Sequence, residues 1–231
     1  MRVSLNEIQV MCRKAFEGMG FAPGDCEDAA ELVGWLQLQG LDGVGALEKA
    51  LLYLQAEAAR PYTLSHEDNA LLVIDAKGQS VLRCAATVVE LAVAKAMRSG
   101  QAELRIHQCH NRLLLLGYLS RAAVQGLHVQ ARWEDARQCH LADFTAGIQR
   151  PALRSEARPG TIDAAEQSVT VLFSRPGQTA TAPANTQSTL HQGFTVNEHT
   201  WQRLKQLAEH ILVESTDASR RHGAGGGSDA D

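Results

Sequence analysis

Aromatic residues are scarce in this chain. Phe, Trp and Tyr make up 5% of it and the net charge is -4, so neither the interleaved aromatics nor the basic excess of a nucleic-acid surface is available, and we expect no nucleic-acid partner. Long apolar runs are missing too. No stretch of about 18 apolar residues occurs, and no charged segment followed by an apolar core opens the sequence. These absences lead us to expect a cytoplasmic protein with no membrane partner. The five cysteines, Cys12, Cys26, Cys84, Cys109 and Cys139, are odd in number and irregular in spacing, which fits reduced thiols better than a disulfide framework. No Cys-x-x-Cys pair, His-Glu-x-x-His helix or Gly-x-Ser-x-Gly elbow is present, and Gly223 to Gly227 lacks the Lys-Ser/Thr that completes a phosphate loop.

What is present describes a globular chain with an ample core: 231 residues, 45% hydrophobic and 21% charged. Ser4 followed by Glu7 reads as a capping box, and Leu5, Ile8, Met11, Cys12, Ala15, Phe16 and Met19 recur at helical spacing up to Gly20. Asp25 is expected to cap a second helix ending near Gly40. A third has the apolar face Ala46, Leu47, Ala50, Leu51 and Leu54 and closes by Arg60-Pro61. Leu71 to Asp75 suits a buried strand, with Lys77-Gly78 as a turn. From Gln79 to Arg98 the helical pattern is apolar nearly all round, which predicts a central buried helix stopped by Gly100. Strands are expected at 104–107, 129–133, 168–173 and 189–196, with a short helix from Leu115 to Val124. A last helix is capped by Asn197 and faced by Trp201, Leu204, Leu207, Ala208, Ile211 and Leu212.

This order gives an α+β fold. N-terminal helices (1–60) precede a strand-helix-strand core (70–134), an irregular stretch (135–187) and a closing strand and helix (188–215), with a mixed or antiparallel sheet. Residues 1–215 form one domain and 216–231 a Gly-rich flexible tail. Residues 135–167 have weak periodicity and read as a long loop. The middle third, 105–175, is net basic, and Arg112, Arg121, Arg132, Arg137, Arg150, Arg154 and Arg158 are either an anion-attracting patch or scattered solvated side chains.

Three stretches taken together resemble the malate/L-lactate dehydrogenase-type oxidoreductases, the superfamily that includes sulfolactate and cyclic-imine reductases. They are residues 8–54 with Gly40-Leu41-Asp42-Gly43-Val44-Gly45, residues 73–133 with Gly78-Gln79, Gly117-Tyr118 and Ala123 to Leu127, and Phe194 to Leu212. The chain also resembles a bacterial family of this length, without an assigned activity, whose tail reads Ser-Arg-x-x-Gly-Ala-Gly, as Ser219, Arg220, Gly223 and Gly225 do here. The dehydrogenase resemblance implies a non-Rossmann homodimer that binds NAD(P)H near its subunit interface and reduces 2-oxo acids or cyclic imines.

Reducing a 2-oxo acid needs a proton donor and a cation for the carboxylate. The family's Ser-His-Gly-x-x-Arg element falls on Gly43 to Glu48, which puts Glu48 where the arginine would stand, and its second histidine falls on Asn111. His110, one residue off register, Asn111 and Tyr118 are then the candidate catalytic residues. Arg112 and Glu48 are the candidate substrate-binding residues. His107, Cys109, His110, Cys139 and His140 include metal-ligand types, and alternation would set His107 and Cys109 on one strand face, yet reduced thiols and surface imidazoles are the simpler reading and no metal is expected. Three functions follow. The first is a catalytically diverged scaffold retaining a small-anion pocket. The second is a working NAD(P)H-dependent enzyme with non-standard groups, and the third an accessory protein whose tail, with Asp229 and Asp231, engages a partner.

Overall fold

The computed structural model of the chain describes residues 1–55, 60–157, 167–176 and 193–210. The tail positions Ser219, Arg220, Gly223, Gly225, Asp229 and Asp231 lie outside them.

A short strand β1 (Arg2–Val3) leads into helix α1 (Leu5–Gly18) through the expected capping box: Ser4 Oγ accepts from the Glu7 N–H at 3.2 Å, and Glu7 Oε2 accepts from the Ser4 N–H at 2.7 Å. Ile8, Cys12, Ala15 and Phe16 form its buried face. Helix α2 (Pro23–Leu38) starts with proline at its first position, so Asp25 sits in its first turn and Ala22 takes the cap position. Helix α3 (Gly43–Leu54) is capped by Asp42, whose Oδ1 accepts from the Gly45 N–H at 3.0 Å.

Among the described residues the sheet has seven strands: β2 (Thr63–Glu67), β3 (Leu71–Ser80), β4 (Gln101–His110), β5 (His128–Glu134), β6 (Gln138–Phe144), β7 (Ala152–Ala157) and β8 (Ser168–Ser174), in the order β2-β3-β4-β8-β5-β6-β7. Among the described residues only β3 and β4 run parallel, which requires the crossover helix α4 (Ala85–Ser99) between them. Helix α5 (Leu116–Val124) follows β4. Leu72, Ile74, Leu104, Ile106, Val171 and Phe173 are buried on the helix-covered face, whereas Arg105, His107, Arg132 and Leu172 on the other are exposed. Such one-sided burial is ordinary where antiparallel pairing dominates. Strand β9 (Phe194–Thr195) pairs with β1 and leads into helix α6 (Glu198–Glu209), capped by Asn197 as expected.

The mixed α+β architecture agrees with the sequence reading; several local expectations do not. Two strands, β6 and β7, lie in the stretch read as a loop at 135–167. Polar residues on both faces of β6 hide its period, and every residue of β7 is exposed. The edge strand β2, exposed throughout, escaped notice for the same reason. Lys77 and Gly78, with φ of 53° and 79°, make a bulge rather than a turn: β3 continues to Ser80 and helix α4 begins at Ala85, not Gln79. That helix buries one face, while Ala94 and Met97 are exposed. Gln108, with φ of 49°, breaks the alternation of β4, so His107 is exposed while Cys109 is buried and the two do not share a face. Of the strand expected at 189–196, residues 189–192 lie outside the described residues.

Candidate anion site at the end of strand β4

Strand β4 ends at His110, and Asn111 then turns the chain with φ 59° and ψ 35° into a 3-10 turn, Arg112–Leu115. Asparagine tolerates this left-handed conformation better than most residues. Helix α3 brings Tyr53 over the strand end, its ring stacked on His110 at 4.1 Å and 19°. Gln167 arrives from the far side, immediately before β8, placed by the Cys109 N–H donating to its carbonyl at 3.0 Å. Its side-chain Oε1 lies 3.1 Å from His110 Nδ1 and accepts from an Arg112 guanidinium nitrogen at 2.7 Å.

Arg112 is 8% exposed. Its guanidinium also donates to the Cys109 carbonyl at 2.8 Å and to the Glu134 carbonyl at 3.1 Å, while its Nε is buried without a hydrogen-bond partner. It forms no ion pair among the described residues; Asp135 acts on it only at longer range. Burial pushes its pKa below the usual guanidinium value, with Cys109, Asp135 and Tyr53 working against that shift, and arginine stays charged regardless. Asn111 Oδ1 beside it is buried and unpartnered. A buried cation held by neutral carbonyls can receive an anion, because the low local dielectric leaves its charge uncompensated.

His110, Asn111 and Arg112 are therefore brought together. Tyr118 and Glu48 stand elsewhere. Tyr118 is buried on α5 with the Arg121 guanidinium 5.3 Å from its ring centre; burial first, then nearby Asp28, pushes its phenol well above the ordinary tyrosine range. That makes it a poor proton donor. Glu48 faces α6, 3.9 Å from His199 Nδ1. Sequence reasoning missed Tyr53 and Gln167, which reach the site from distant elements. The periodicity of α3 marks its buried face, and Tyr53 lies beside that face with nothing to announce a ring partner; Gln167 follows a stretch with no pattern.

A separate cleft of about 370 Å³ opens between α2 and α5, bounded by Leu32, Trp35, Gly117, Ser120, Arg121 and Gln149, and includes none of Tyr53, His110, Asn111, Arg112 and Gln167. Among the described residues no group of three or more His, Cys, Asp or Glu side chains could hold a metal ion, and no helix is long and apolar enough to cross a membrane.

A family model described as "Protein of unknown function (DUF3726)" matches residues 3–97, a stretch that ends within α4 and so precedes His110. No curated protein matches the chain. Solved structures do. The dehydrogenase from Sinorhizobium meliloti is similar with a TM-score of 0.68 at 12% identity, covering 90% of this chain and 99% of its own. The malate dehydrogenase from Entamoeba histolytica gives 0.66 at 9%, covering 94% and 99%. The sulfolactate dehydrogenase from Methanocaldococcus jannaschii gives 0.63 at 11%, covering 90% and 97%. The fold is that of the malate/lactate dehydrogenase-like proteins.

Proposed function

We propose that this chain uses a malate/lactate dehydrogenase-like fold as the scaffold for a small-anion site centred on Arg112, with the reductive chemistry of such enzymes lost. The observation that carries the reading is the guanidinium of Arg112, 8% exposed and without an ion pair among the described residues. Burying an uncompensated charge costs several kcal/mol, and a bound carboxylate or oxyanion offsets that cost. Loss of chemistry follows from the donors. Asn111 cannot act as an acid, and burial beside Asp28 makes Tyr118 a poor one.

Thermal unfolding in the presence of pyruvate, sulfate and phosphate tests the site. An anion at a hundred times its Kd adds about 2.7 kcal/mol, which for a domain of this size raises Tm by roughly 5–11 °C. Arg112→Met and Arg112→Lys should abolish and weaken that increment, respectively. An increment unchanged in Arg112→Met, or absent from the parent with all three anions, overturns the proposal.

A second reading is favoured by one further detail. Gln167 Oε1 only accepts, so His110 Nδ1 carries the proton between them; Tyr53 stacks the ring and no described residue hydrogen-bonds Nε2, so His110 in its imidazolium form can pass the Nε2 proton to a bound carbonyl. Saturable NADH or NADPH binding, with 2-oxo acid turnover lost in His110→Ala, would replace the first reading by this one.

A further inference from the structure

Outside the Arg112 site, three side chains on neighbouring strands form a hydrogen-bonded chain. Asp135 lies in the turn joining β5 to β6, His140 on β6 and Ser155 on β7, where His140 and Ser155 are direct cross-strand partners. His140 Nε2 is 2.9 Å from Asp135 Oδ2 and its Nδ1 is 2.8 Å from Ser155 Oγ. Trp133 stacks on the imidazole at 5.1 Å and 18°, fixing the plane of the ring. The other Asp135 oxygen accepts from the N–H groups of Arg137 and Gln138, each at 2.8 Å. Burial works to raise the Asp135 pKa, but the His140 contact and these two donors outweigh it and hold the carboxyl at about 2.

These contacts dictate where the protons sit. An ionised carboxylate only accepts, so a neutral His140 must carry its proton on Nε2; Nδ1 is then an acceptor, and Ser155 must donate to it. Such a linkage of carboxylate, imidazole and hydroxyl activates a serine for attack on an acyl carbon, and it is recognised by roles and geometry rather than by chain order; here Nδ1 faces the hydroxyl and Nε2 the carboxylate, the reverse of the usual triad.

We propose that Ser155 is a nucleophile activated by His140 and positioned through Asp135, giving the protein hydrolytic activity toward small acyl esters. Ser155 Oγ bonds to the ester carbonyl carbon as its proton passes to His140 Nδ1. The tetrahedral adduct then breaks its bond to the alkoxy oxygen, which takes that proton and leaves as the alcohol. Water attacks the acyl-serine by the same route: its proton passes to Nδ1 and on to Ser155 Oγ, and the acid is released. The sum is ester plus water to acid plus alcohol, with no redox step. Ser155 is exposed on β7, the last strand of the sheet. Outward N–H groups of that edge have no ladder partner among the described residues and can donate to the developing oxyanion. The exposed position favours small substrates with little bound surface.

The test is covalent labelling of the full chain with a fluorophosphonate probe, read by peptide mass spectrometry, beside hydrolysis of p-nitrophenyl acetate. We expect the label on Ser155, none at that peptide in Ser155→Ala, and a labelling rate at least about 100-fold lower in His140→Ala. Loss of the imidazole also removes the partner of Trp133, so Asp135→Asn provides a second variant with β6 intact. It should lower kcat for p-nitrophenyl acetate at least about tenfold while leaving KM within twofold, a split that unfolding would not produce. Absence of label at Ser155, or a labelling rate unchanged in both His140→Ala and Asp135→Asn, overturns the assignment.

Discussion

Replacing Gly43 by alanine tests how the helical layer positions the proposed anion site. Gly43 is the first residue of α3, and a Cβ built there falls 2.1 Å from the Val33 carbonyl oxygen on α2 and 3.0 Å from the Leu36 Cβ. Carbon and oxygen ordinarily approach no closer than about 3.3 Å, so α3 must shift by roughly an ångström, and the obstacle is backbone that cannot rotate away. Overpacking of this kind costs about 1–3 kcal/mol, and the helical preference for alanine over glycine returns at most about 1 kcal/mol. With the cost at the middle of that range, about 2 kcal/mol, the net loss is about 1–2 kcal/mol, a Tm lower by roughly 2–8 °C. Gly24, in the first turn of α2, is the matched control: its Cβ would meet nothing within 4 Å, and Gly24→Ala should gain about 0.4–1 kcal/mol. Urea unfolding monitored by circular dichroism compares the two. Because α3 carries Tyr53 onto His110, Gly43→Ala should also weaken anion binding, whereas Gly24→Ala should not. The same sign of stability change in both variants would refute the reasoning.

Thiol reactivity and acid sensitivity give two further checks. Burial pushes Cys12, Cys84 and Cys109 up to about 12 and also raises Cys26, whereas Cys139 is only half-buried. A thiol reagent on the native protein at pH 8 should therefore modify one cysteine, Cys139, rapidly; release of two or more equivalents before unfolding contradicts the burial pattern. In the β2–β3 turn, His66 and the N–H groups of Ala70 and Leu71 hold the Asp68 carboxyl at about 2. A depressed carboxyl stabilises the fold above its unfolded value near 3.9 and ceases to do so as pH falls toward 2. The stability gap between parent and Asp68→Asn should thus be constant above pH 5 and close between pH 4 and 2; a gap that widens on acidification has the wrong sign.

Elements with a strong period were legible in the sequence. Helix α1 with its Ser4/Glu7 cap, helix α6 with its Asn197 cap, and the alternation of Val169, Val171 and Phe173 in β8 each carry a hydrophobic signal that packing then satisfies. Illegible elements are those whose burial is one-sided or absent: β2 and β7 are exposed along their whole length and are held by backbone pairing to one neighbour, which leaves no trace in side-chain type. The candidate site divides in the same way. His110, Asn111 and Arg112 are contiguous, and the register of the resemblance singles them out. Tyr53 and Gln167 matter only through where α3 and the approach to β8 meet the end of β4. Tyr118 drew notice from a family pattern, while the structure surrounds it with Asp28 and Arg121 instead.

Two backbone irregularities shape the corner proposed to bind an anion. Gln108 and Asn111, with φ of 49° and 59°, bracket Cys109 and His110 at the end of β4, and each occupies a region that costs an L-residue roughly 1–2 kcal/mol. Ordinary alternation through this segment would bury or expose residues in strict turn. The kink at Gln108 instead buries Cys109 two residues after exposed His107, and the turn at Asn111 carries the Arg112 side chain back against the carbonyls of Cys109 and Glu134. Strand pairing gains nothing from a guanidinium at that point, since the carbonyls it satisfies could have been paired by neutral donors without desolvating a charge. The contact with Glu134 also ties the end of β4 to the turn holding Asp135, from which the chain through His140 to Ser155 begins. Strain on one side and a buried cation without an ion pair among the described residues on the other stand at a single corner of the scaffold. That combination is expected where a fold is retained for what its corner binds rather than for the corner's own stability.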